Sequence, residues 1–209
     1  MESPYFNSVL QQVSADSRYN RELAVAKEEF QAFAGPIFES DRNFDARINA
    51  FHNWYILDRP LKSNGRTPLD YFLEFNANAI SAESWQRYAE LVRHLHSLFE
   101  LIKTGPKVTV LRDIVSRKKI ALDGAEQTEH LDKGALFNTR LFRHGEQWFF
   151  SNYLILHPGS VGKDIKQAAR RSKKAHAPIE RFLYQLMLFQ GRWEQYKQMD
   201  LHAIYRFSA

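Results

Sequence analysis

The feature that most constrains this chain is a strand-rich island, Leu98 to Leu156, set between two stretches patterned as helix. Leu98–Lys103 and Val108–Asp113 flank a Thr-Gly-Pro-Lys turn, and Lys118–Leu122 ends at Asp123-Gly124. Ala135–Arg143 then turns at His144-Gly145 into Gln147–Leu156. Strands this short, joined in order by turns, favour an antiparallel meander curling toward a small barrel. Such a sheet between helices points to a binding scaffold.

The flanks carry helical spacing. Tyr19, Leu23, Ala26, Phe30 and Phe33 recur as on a surface helix, which Gly35-Pro36 stops. Phe44, Ile48, Phe51 and Tyr55 share one face of a helix expected from about Asp41 to Leu57. Thr67-Pro68-Leu69-Asp70 reads as a helix start, and Ser81 as the cap of another helix burying Trp85, Tyr88, Val92 and Leu95. Past Pro158-Gly159, Ser160 is expected to cap a helix of Lys163–Lys174. A longer helix after Pro178 would turn Ile179, Phe182, Leu183, Leu186, Phe189, Trp193 and Tyr196 inward. The expected fold class is α+β. Its parts are N-terminal helices over 1–96, a small antiparallel β-barrel or strongly twisted sheet over 97–157, and a C-terminal helical pair over 158–209, packed as one unit.

Composition narrows the chemistry. With 209 residues the chain is long enough to bury a core, and 14% aromatics predict that rings fill much of it. The absence of cysteine excludes disulfides, thiolate metal sites and a cysteine nucleophile. The start, MESPYFNSVLQQ, lacks the apolar run of a secretory signal, and no stretch approaches the length of a membrane span. A cytoplasmic protein without membrane insertion is expected. Residues 158–209 hold 10 Lys/Arg against 4 Asp/Glu, whereas residues 1–96 hold 10 against 13. The basic character is therefore local to the C-terminal third.

Its centre is Lys163–Lys174. On a helix, Lys163, Lys166, Arg170 and Lys173 fall at steps of three, four and three, with Arg171 and Lys174 beside them. A cationic stripe of this kind can track phosphates, with counterion release supplying affinity, or can meet an acidic protein. Aromatics on the island, Phe142, Trp148, Phe149 and Tyr153, are candidates for stacking on bases of RNA or single-stranded DNA. Alternation sets Trp148 and Phe150 on one face, Phe149 and Tyr153 on the other. The full reading requires that basic and aromatic residues share one surface. An exposed aromatic face could instead serve a protein-interaction adaptor.

Signals for catalysis are weak. No phosphate loop or Gly-x-Ser-x-Gly elbow is present, and no cofactor is expected. His94 and His96 would share a face in a strand but not in the helix expected there. Asp113 and Asp132 border strands, where turn and cap roles suit them. An enzyme would need His94, Asp113 and His157 to converge on a pocket. A non-enzymatic binding or regulatory module is expected instead.

One resemblance spans Phe51 to Leu156. It rests on Phe51–Asp58, Gly65–Leu69, Leu98–Leu101, Val110–Asp113 and Lys133–Leu141. In this order the segments resemble the region that accompanies a SEC-C zinc motif in some uncharacterised bacterial proteins. The resemblance implies a bacterial cytoplasmic origin and the helix–barrel layout, and brings no activity. The zinc tail is not carried over, because the chain has no cysteine to form it.

Overall fold

A computed structural model describes residues 4–124 and 126–207. Six helices come first: α1 (Pro4–Ala15), α2 (Ser17–Asn20), α3 (Leu23–Ala34), α4 (Phe44–Leu57), α5 (Pro68–Phe75) and α6 (Ala82–Glu90). Thr67 and Ser81 cap α5 and α6 as expected, accepting from the amides of Asp70 at 3.1 Å and Ser84 at 3.2 Å. Helical spacing is interrupted at Asp16, whose carboxylate accepts from the Arg18 amide and starts α2. The helix expected to bury Val92 and Leu95 stops at Glu90. Val92 is exposed and Leu95 lies in a strand. Residues from His94 onward fit a period of two as well as a helical one, and a partner strand on each side decides the matter.

The strands are β1 (His94–Lys103), β2 (Val108–Asp113), β3 (Lys119–Asp123), β4 (Leu136–His144), β5 (Gln147–Phe150) and β6 (Ile155–His157). All pairings are antiparallel, in the order β3-β2-β1-β4-β5, with β6 also on β4. Expected as one strand, Gln147–Leu156 is thus two, and the Thr139 hydroxyl donates to the Tyr153 carbonyl at the break. The sheet curls into a half-barrel whose ends approach: Gln147 Nε2 donates to Asp123 Oδ2 at 2.9 Å. Phe99, Leu101, Leu111, Phe137, Leu141 and Phe150 fill its inner face. The outer face, His94, His96 and Leu98 beside Leu136, Asn138, Arg140 and Phe142, meets helices.

A 3₁₀ turn, Gly159–Val161, leads into α7 (Gly162–Lys174), followed by α8 (Ile179–Gln195) and α9 (Leu201–Ile204). Ser160 does not cap α7, because it lies inside the turn. Ile165, Ala168 and Ala169 of α7 and Leu183 and Leu186 of α8 bury Leu98 and Leu136 of the sheet. Tyr184 and Met187, on another side of α8, join the core of the N-terminal helices. The inward set on α8 is as expected up to Trp193, but Tyr196 is exposed. Among the described residues no helix is long and apolar enough to cross a membrane.

Arg47 of α4 is fully buried and faces carbonyls instead of an acid. Its guanidinium donates to Ala34 O at 2.9 Å, Gly35 O at 3.1 Å, Pro36 O at 3.0 Å and Met187 O at 2.9 Å. Three of these lie at and just past the end of α3, where the helix dipole is negative. Burial lowers the pKa of Arg47 from its ordinary value. The guanidinium also requires Gly191, since a Cβ there would lie 2.9 Å from Arg47 Nη1. Arg47→Ala is expected to cost about 3 kcal/mol, because four carbonyls lose a charged donor together. Urea unfolding would show this as a lower midpoint, and Arg47→Lys would recover only part of it, lacking the fork.

Candidate functional site

The α7 cations are positioned by the apolar side of their own helix. With Ile165, Ala168 and Ala169 against the sheet, the polar positions divide between two flanks. On one flank Lys166 Nζ donates to Glu100 Oε1 at 2.7 Å, while Arg112 Nη1 reaches Glu100 Oε2 at 3.3 Å. Lys173 Nζ donates to the Val115 carbonyl at 2.7 Å. Arg170, Lys173 and Lys174 line a groove of about 400 Å³ with Ile114, Val115 and Arg117. An adjoining groove of about 460 Å³ lies among Lys166, Arg170, Arg112 and Arg117. Arg171 is on the other flank, toward α8. Lys163 is exposed and lines none of these hollows. The six cations expected to act together are therefore not one set.

Arg112 and Arg117 escaped the sequence reading. Arg117 sits in the turn between β2 and β3 with φ 65°, the left-handed region. Asp113 holds that turn: it accepts from the Ser97 hydroxyl at 2.6 Å, the Val115 amide at 2.9 Å and the Ser116 hydroxyl. A turn role for Asp113 was legible. That it would place a guanidinium beside a helix fifty residues on was not. Asp132 is exposed in another turn, its carbonyl accepting from the Ala135 amide.

Two of the four proposed stacking residues are buried. Phe142 stacks on Phe6 with centroids 5.4 Å apart, and Tyr153 packs at His96. Both face the helices, so neither is open to a base. Phe149 is half-buried and paired with Phe142 on β4. Trp148 differs: it shares the inner-face cluster with Phe150 but is half-buried, with the Arg143 guanidinium 5.9 Å from its ring centroid. It lines a cleft of about 800 Å³ with Arg93, Lys118, Lys119 and Arg143. The acids there are engaged, Glu90 by His144, Glu146 by Arg143 and Asp113 by the turn. Arg93, Lys118 and Lys119 make no ion pair among the described residues. The turn after β2 is a shared wall, with Arg117 lining the α7 grooves and Ser116 and Lys118 lining the Trp148 cleft. The cations of these hollows thus lie on either side of one turn as a basic band, with Trp148 the one Phe, Tyr or Trp lining them among the described residues.

Next to the Trp148 cleft, which His94 lines, is a largely buried polar cluster. Asp58, just past α4, accepts from Arg140 of β4 and from the Tyr184 hydroxyl of α8 at 3.2 Å. Arg140 also donates to His94 Nε2, and His94 Nδ1 lies 3.0 Å from the Leu91 carbonyl. His94 Nε2 also lies 3.7 Å from Asp58 Oδ1, so the ring closes the cluster. Burial alone would raise the Asp58 carboxyl, yet the Arg140 guanidinium holds it well below the usual range. His94 and His96 do share a face, since they occupy a strand after all. Arg140 takes up His94 Nε2, and no group of three or more His, Asp or Glu fit for a metal occurs among the described residues. His94 and Asp113 line the Trp148 cleft, whereas His157 is buried elsewhere between Asn138 and Tyr205. The trio an enzyme would need is not assembled.

A helix-clasped antiparallel half-barrel carrying a cationic band is the class of protein these features define. The chain belongs to the family of unknown function DUF7986, whose model matches residues 18–200. Nothing in that match bears on a SEC-C motif or a bacterial source. No curated protein and no solved structure matches the chain.

The buried histidines set a pH dependence. Burial pushes His96 well below its ordinary value, and Arg140 adds to the effect; burial alone takes His157 down to about 3. The unfolded chain therefore gains protons below about pH 6.5 that the folded chain refuses, so stability falls on acidification. The expected slope is about 1.4 kcal/mol per pH unit for each of the two below about pH 6. Urea unfolding between neutral pH and about pH 5 measures it; His52, which burial also lowers, adds to the slope, and His96→Phe should take away about 1.4 kcal/mol per pH unit of the total.

Proposed function

We propose that this protein is a non-enzymatic binding module that holds RNA or single-stranded DNA along the basic band. A bacterial, cytoplasmic setting goes with that reading. The observation that carries it is the turn between β2 and β3, which joins the α7 grooves to the Trp148 cleft. Arg170, Lys174 and Arg117 on one side, and Arg93, Lys118 and Lys119 on the other, have no acidic partner among the described residues. A strand of nucleic acid offers phosphates in a row to such a band, and releases counterions as it binds. Trp148 supplies one stacking platform in the cleft, worth about 1–3 kcal/mol for a single base. With one aromatic and many cations, affinity would depend strongly on salt and weakly on sequence.

Fluorescence anisotropy with a labelled oligouridylate, from about 50 to 200 mM salt, is the test. Four phosphate contacts would give a log–log slope of about −3. Neutralising Arg117, Arg170, Lys173 and Lys174 to Gln should flatten that slope. Trp148→Ala should weaken binding about tenfold with the slope unchanged, whereas Phe142→Leu should leave affinity as it was. Undetectable binding at the lowest salt, or a fourfold variant that binds like the parent, overturns the reading.

A further inference from the structure

The other flank of α7 meets a further hollow. It measures about 830 Å³, within the span of small-molecule sites, and runs over the first turns of α8. Two groups of rings wall it. Phe33 lies with its centroid 4.8 Å from Tyr184 and 5.3 Å from Trp54, and Phe182 lies 5.9 Å from Phe207. Tyr184 is fixed from behind by its hydroxyl bond to Asp58, so this wall is formed before any ligand arrives.

At 3.6 residues per turn, Arg181 falls on the α8 face between Tyr184 and Phe182. Arg171 joins it from α7. Neither arginine has an acidic partner among the described residues, and Glu180 is the one acid in the lining. An aromatic-walled cavity with two unpaired guanidiniums complements a ligand with one anionic end and an apolar body. A neutral apolar molecule would leave the arginines unused, and an inorganic anion would leave the rings uncovered.

We infer that this cavity binds a small amphipathic organic anion, a carboxylate with an apolar chain or ring, its charged end at Arg171 and Arg181. The site is independent of the proposed nucleic-acid band, because Arg171 and Arg181 lie outside that band.

Displacement of the fluorescent anion anilinonaphthalene sulfonate from the full chain tests this. Dodecanoate should displace the dye, and dodecanol should do so at least about tenfold less well. Arg171→Gln with Arg181→Gln should weaken dodecanoate about tenfold or more while leaving dodecanol unchanged. Gln185→Trp, placed on the open face of α8, should block both. Neither variant should alter oligouridylate binding, which separates this site from the band. Equal displacement by dodecanol and dodecanoate, or indifference of dodecanoate to the double arginine variant, overturns the inference.

Discussion

The structure depends on the pair of Asp58 and Arg140. Asp58 closes α4, Arg140 stands midway along β4, and Tyr184 of α8 adds its hydroxyl to the same carboxylate. Three layers therefore meet at one carboxyl group. Arg140 is buried while the Asp58 side chain is 24% exposed, so the pair adds little net stability over an apolar replacement, but removing the carboxylate strands the guanidinium where it cannot be solvated. Its main effect is on geometry. With Arg140 held toward the helices by Asp58, Leu136, Asn138 and Phe142 must face them too, because strand side chains alternate. Phe137 and Leu141 are thereby sent to the inner face of the half-barrel.

That arrangement explains how the surface comes to be divided. Helices α1, α4, α7 and α8 cover the outer face, so Phe142 and Tyr153 become core. Seated on Leu98 and Leu136, α7 is oriented by its small apolar residues, and its cations are divided between a groove with Arg117 and a cavity with Arg181. One helix thus serves hollows of different character on its two flanks. Glu100 reinforces the seating by pairing with both Lys166 and Arg112, which removes those two charges from the free count.

Local signals survived into the structure wherever a few adjacent residues settle a conformation. Thr67-Pro68 and Ser81 start helices because a hydroxyl reaches an amide three residues on. Asp113 makes its turn for the same kind of reason. Boundaries failed where two periodicities fit the same residues, as at His94–Ser97, or where a strand had to bend to stay paired, as between β5 and β6. At the candidate site, the α7 cations were legible as a run. Arg93, Lys118 and Lys119 were not, since nothing near them in sequence announces a partner, and folding alone places them around Trp148.

What the sequence by itself determined is the helix–sheet–helix order, the antiparallel α+β class and the concentration of positive charge in α7. These follow from spacing, caps and turns, whose energetics are confined to a few neighbouring residues. Only the tertiary structure decided which face of each strand is buried, which aromatics remain open, and which cations share a groove. Those outcomes rest on pairings such as Asp58 with Arg140 and Glu100 with Lys166, made between residues more than sixty positions apart. Burial turns on what packs against a residue, and no short segment carries that information.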